Sequence, residues 1–141
     1  MKYTELTVGQ SAEIVRTVAE GDLQAFADVT GDVNPLHLDE AAAATTMFKG
    51  RIAHGMLSAG YISAVIGTKL PGFGCVYVSQ SLAFKRPVRI GDTITTRCEV
   101  TEVMPATRQL RLRTSCINQV GKVVTEGEAV VLLPDEAGPS R

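Results

Sequence analysis

The sequence predicts an α+β domain, and three observations carry that prediction. Apolar residues recur at helical spacing only before residue 70. Beyond Gly74 the alternation turns to period two and stays there. The chain has 141 residues, 45% of them hydrophobic, with a formal net charge of −1. That is the size and composition of one domain with its own core. The layout is one strand, a helical middle and four long antiparallel strands.

Ser11 to Val18 reads as the first strand. Residues 19–30 follow as a helix, with Leu23, Phe26 and Ala27 at helical spacing and Gly31 to end it. Gly31-Asp32-Val33-Asn34-Pro35-Leu36-His37 is turn chemistry, after which Asp39 can cap a short helix running to Ala44. Met56 to Lys69 reads as a second helix, apolar and small-sided. Leu57, Tyr61, Ala64, Val65 and Leu70 form its expected apolar face, so the helix is expected buried with backbone packed close to it. Cys75 to Phe84 is the next strand. In the run after it Ile94, Thr96, Cys98 and Val100 share one face, while Thr95, Arg97 and Glu99 share the other. Leu110, Leu112, Thr114 and Cys116 alternate with Arg111, Arg113 and Ser115, and a last strand runs from Val123 to Leu133. Residues 1–134 are expected to form the single domain, and 135–141 a frayed tail.

Fourteen basic and fifteen acidic residues leave no basic surplus for a nucleic-acid partner. No apolar run reaches the ~20 residues needed to cross a bilayer, and the N-terminus has no signal-like apolar stretch. A cytoplasmic protein is the expectation. Cys75, Cys98 and Cys116 are an odd number without C-x-x-C spacing. They read as buried apolar residues in a reducing compartment, not as disulfides or zinc ligands.

Only two histidines are present, so the search for chemistry starts small. Asp32 and His37 stand five apart in a loop stiffened by Pro35. A carboxylate and an imidazole held together can position one water for proton transfer. Asp32 can equally be a turn-forming residue and His37 an exposed one, and the residues alone leave both readings open. Gly55 opens the second helix, where free N–H groups can stabilise a developing oxyanion. His54 reads as a residue that hydrogen-bonds loop backbone and fixes the helix entry. Ser63 lies eight residues along, on the small-sided face. The two histidines make a poor metal site, and none is expected.

Three signatures in order then resemble a known family. They are Phe26 to His37, Ala53-His54-Gly55-Met56-Leu57, and Ser81 to Val88 followed by Gly91-Asp92. Together they resemble the MaoC-like, (R)-specific enoyl-CoA hydratases in their short single-domain form. The resemblance implies a hotdog fold, a curved antiparallel sheet around a central helix, and a homodimer. It implies reversible hydration of a trans-2-enoyl-CoA, an acyl-CoA thioester, to the (R)-3-hydroxyacyl-CoA. Asp32 and His37 match the catalytic pair, and Gly55 the oxyanion donor. Ser63 matches a supporting serine near the pair, and Asn34 belongs to the loop scaffold. No metal or redox cofactor is implied, since coenzyme A belongs to the substrate. Lys49, Arg51, Lys85 and Arg86 are candidates for its phosphates by charge alone. A dehydratase of carrier-protein thioesters and a non-catalytic thioester-binding hotdog are the alternatives. The route served, polyhydroxyalkanoate supply or fatty acid metabolism, stays open.

Overall fold

The computed structural model describes residues 1–134; the expected tail at 135–141 lies outside them. A short turn of 3-10 helix at Tyr3–Glu5 precedes β1, Ser11–Thr17. Helix α1 is Glu20–Thr30. Asp22 Oδ2 accepts from the Ala19 N–H at its start, and Gly31 ends it at φ +81°, a conformation that costs glycine little. Two short helices follow, α2 at Pro35–Leu38 and α3 at Glu40–Ala44. The first was not foreseen: Pro35 suits a helix start, and the Asn34 side chain caps it by accepting from Leu36 N–H. Asp39 caps α3 through Ala42 N–H as expected.

Helix α4 is Gly55–Thr68, and the remaining strands are β2 (Val76–Gln80), β3 (Ala83–Phe84), β4 (Thr93–Met104), β5 (Gln109–Ile117) and β6 (Val123–Leu132). All pairings are antiparallel in the order β1-β4-β5-β6-β2, with β3 also on β6. The single strand expected from Cys75 to Phe84 is therefore two. Its chain crosses β6 at Gly127, where an added Cβ would stand 1.8 Å from the Ser81 carbonyl oxygen. Only glycine admits that approach, and the pairing breaks there.

The predicted faces of β4 and β5 are the observed ones. Ile94, Thr96, Cys98 and Val100 of β4 are buried, as are Leu110, Leu112, Thr114 and Cys116 of β5. They pack with Ile62, Val65 and Ile66 of α4 in one core. All three cysteines are free thiols, Cys75 half-buried and the other two fully buried. Burial, reinforced by neighbouring Cys116, pushes the Cys98 thiol up to about 12.

The stripe of α4 that meets the sheet differs from expectation. It runs through Ser58, Ile62, Val65 and Ile66, whereas Leu57, Tyr61 and Ala64 are half-buried. Gly60, Ser63 and Gly67 face outward, and nothing stands within 4 Å of a Cβ placed on either glycine. The small-sided face thus meets no backbone within the chain. A helix apolar nearly all round gives the sequence little basis for choosing its buried side.

Candidate active site

The loop after α1 and the entry to α4 meet at one place. The ligand atoms of Asp32, His37 and His54 lie within 4.8 Å of one another. His37 is only 8% exposed, which corrects the reading of it as an exposed loop residue. Two contacts draw it inward. Its Nδ1–H donates to the Ile52 carbonyl at 2.7 Å, and Arg51 Nε donates to the His37 carbonyl at 2.8 Å. A carbonyl can only accept, so the hydrogen sits on Nδ1 and Nε2 keeps its lone pair.

Asp32 is exposed and held by its own turn. Its Oδ1 accepts from the Asn34 N–H at 3.3 Å, and its N–H donates to Thr30 Oγ1 at 3.1 Å. Asn34 thus braces both Asp32 and His37, since its carbonyl also accepts from the His37 N–H. His54 is 2% exposed, and its Nε2–H donates to the Asp32 carbonyl at 3.0 Å. Its ring stacks on His37 with centroids 3.9 Å apart and touches Phe26 on its own account. The backbone hydrogen bond expected of His54 is present.

A cleft of about 230 Å³ opens beside this cluster. His37, His54, Gly55 and Ser58 line its floor, with Phe48 and Phe84 among its other walls. The Gly55 N–H has no hydrogen-bond partner among the described residues. A Cβ on Gly55 would stand 3.0 Å from the Phe84 ring, so glycine also lets Phe84 lie over the helix start.

Ser63 is not brought to the pair within the chain: it is exposed, lines no part of this cleft, and its hydroxyl has no hydrogen-bond partner among the described residues. Ser58 lines it instead, three residues beyond Gly55 on the same helical face. That i, i+3 spacing from Gly55 was the signal available in the sequence. Of the four basic candidates, Lys85 and Arg86 line the cleft and Lys49 does not. Arg51 is committed elsewhere, with its side chain 12% exposed and bonded to Glu20 at 2.8 Å as well as to the His37 carbonyl.

A curved antiparallel sheet laid against one central helix, with a carboxylate and an imidazole at that helix's start, defines a hotdog protein of the hydratase type. The chain belongs to the MaoC-like domain family, whose model matches residues 4–122. It is 53% identical over 132 residues to the (R)-specific enoyl-CoA hydratase of Rhodospirillum rubrum, covering 94% of this chain and 91% of that one. The solved R-hydratase PhaJ1 from Pseudomonas aeruginosa superposes with a TM-score of 0.90 at 50% identity, over 99% of this chain and 92% of the other. The (R)-hydratase from A. caviae, described as involved in PHA biosynthesis, gives 0.88 at 45% identity, over 92% and 98%.

Proposed function

We propose that this protein is an (R)-specific enoyl-CoA hydratase, a hydro-lyase that reversibly adds water to a trans-2-enoyl-CoA. The observation that carries the reading is the Asp32–His37 pair set beside the unpartnered N–H of Gly55. The two halves suit the two needs of the reaction.

Hydration must activate a water and stabilise an enolate. The Asp32 carboxylate and His37 Nε2 hold one water against C3. As its oxygen bonds C3, the C2–C3 π pair moves into C1–C2 and charge grows on the thioester oxygen. Gly55 N–H, at the positive end of α4, receives that oxygen. The water's proton passes to the pair, and a proton is delivered to C2. The tautomer fixed by Ile52 makes His37 Nε2 the first acceptor. No metal or redox cofactor takes part, and coenzyme A enters as part of the substrate. Lys85 and Arg86, which line the cleft, are the candidates for its phosphates.

A homodimer fits the same reading. Gly60, Ser63 and Gly67 leave a smooth open face on α4, Met56 on that helix is 53% exposed, and edge strand β2 presents Tyr77 and Val78 to solvent. Ser63 would meet the site only through such a partner. Among the described residues no helix is long and apolar enough to cross a membrane. Three free thiols suit the reducing cytoplasm. The (R)-3-hydroxyacyl product suits polyhydroxyalkanoate supply.

The test is to incubate the purified protein with crotonyl-CoA and with the matching carrier-protein thioester. Loss of enoyl absorbance with formation of (R)-3-hydroxybutyryl-CoA, faster on the CoA ester, is the expected result. Binding without turnover would leave a thioester-binding protein, and release of free thiol would mean a thioesterase.

A further inference from the structure

His54 touches every part of the proposed machinery yet contributes no atom to the cleft chemistry described above. Its Nε2–H holds the Asp32 carbonyl at 3.0 Å. Its ring lies against His37 at 3.9 Å between centroids. Its backbone caps α4 and leads directly into Gly55. The side chain is also poorly satisfied. Nδ1 is buried and has no hydrogen-bond partner among the described residues. A buried acceptor without a donor costs stability. The ring's other neighbour, Phe26, is apolar, with centroids 4.5 Å apart. A phenyl ring at position 54 would fill the same slot between Phe26 and His37 and carry no stranded nitrogen, at the loss of the donor to the Asp32 carbonyl.

The imidazole therefore carries a cost that a packing role does not require. The atom that sets it apart from a phenyl ring is the Nε2 donor. From these contacts we infer that His54 is a positioning residue for hydration: it fixes the Asp32 main chain at the distance from His37 that one shared water needs. Asp32 needs such an anchor. Its side chain is exposed and held by a single 3.3 Å bond to the Asn34 N–H. His37, by contrast, is buried and tied to Ile52 and Arg51. The exposed half of the pair, whose main chain is otherwise tied only through its N–H to Thr30 Oγ1, is the half that His54 holds. The inference rests on the hydratase reading, because only a shared water makes the separation matter. A displacement of about 1 Å in such an arrangement costs on the order of 10²-fold in rate.

The test compares His54→Phe, His54→Leu and His54→Gln with the wild type on crotonyl-CoA. Phe keeps the stacked ring and Leu only apolar bulk, and both lack the donor. Gln loses the ring and restores an N–H that reaches the Asp32 carbonyl. The expected result is a kcat about 10- to 100-fold lower in both apolar variants, with KM within about twofold and Tm near that of the wild type for His54→Phe. His54→Gln is expected to recover part of kcat while its Tm falls. Wild-type kcat in either folded apolar variant overturns the inference. So does a loss of kcat that tracks loss of Tm across all three variants. A wild-type protein that leaves crotonyl-CoA untouched removes the hydratase reading itself, a separate outcome seen before any variant is made.

Discussion

The sheet of β4, β5 and β6 and the segment from Gly31 to Gly55 are held by different forces. In the sheet, long antiparallel ladders pair the strands, each interrupted by one register shift, and one face is filled by side chains such as Leu110, Leu112 and Val131, none of them exposed to solvent. In the segment, regular structure amounts to two short helices, Pro35–Leu38 and Glu40–Ala44. What fixes it is a set of single bonds between side chains and backbone, from Asn34, His37, Asp39, Arg51 and His54. Area burial tolerates the loss of one contact in proportion to its size. A site built from single bonds loses geometry with each. The sheet should therefore govern stability, and the segment rate.

The largest effect expected is on rate. Asp32→Asn and His37→Ala should each lower crotonyl-CoA hydration by about 10²- to 10⁴-fold, since each removes one group of the proposed acid–base pair. Circular dichroism should show both folded. The converse holds for the sheet. Leu112→Ala should cost about 2–5 kcal/mol in urea unfolding while the folded fraction keeps its kcat. A core variant that lost rate before stability would dissolve the division between the two regions.

A smaller effect concerns pH and is read most clearly in the sheet. The Cys98 thiol is pushed from its ordinary 9.0 up to about 12 by burial, then by Cys116. Between those values the unfolded chain gives up this proton and the folded chain keeps it. The unfolded state then binds fewer protons, so stability is full below about pH 9 and falls as pH rises toward 12. The slope should be roughly 1 kcal/mol per pH unit for this group. Urea midpoints at pH 8 and pH 10 should show it, and Cys98→Ala should lessen it, with Tyr77 and Cys116, also raised by burial, keeping part of the slope.

The smallest effect lies at the cleft's edge. Lys85 is half-exposed and 3.8 Å from Glu126. Lys85→Ala should raise KM for crotonyl-CoA about 2- to 5-fold, less at high salt, and leave kcat alone. A change in kcat instead would move Lys85 from substrate capture into the chemistry.

The same division explains what could be read from the sequence. The faces of β4 and β5 follow from alternation, because a half-buried strand must present every second residue to the core. The caps at Gly31 and Asp39 are local chemistry and were equally readable. The break between β2 and β3 was not, since it depends on Ser81 meeting Gly127 from 46 residues away. His37 could be read as exposed because turn segments usually are; Arg51, Ile52 and the stacked His54 ring, all from the segment folding back over it, bury it. Of the two serines on α4, the nearly uniform apolar character of the helix hid which one faces the cleft. Asp32, His37 and Gly55 were singled out by residue type and by resemblance, and the fold brings them together. The link through His54 needed the stacking distance.

The most direct measurement is the crotonyl-CoA hydration rate of folded His37→Ala protein beside the wild type at equal concentration. A fall of about 10²- to 10⁴-fold with unchanged Tm is the predicted result. A folded variant that hydrates at the wild-type rate would contradict the assignment of this chemistry to the Asp32–His37 pair.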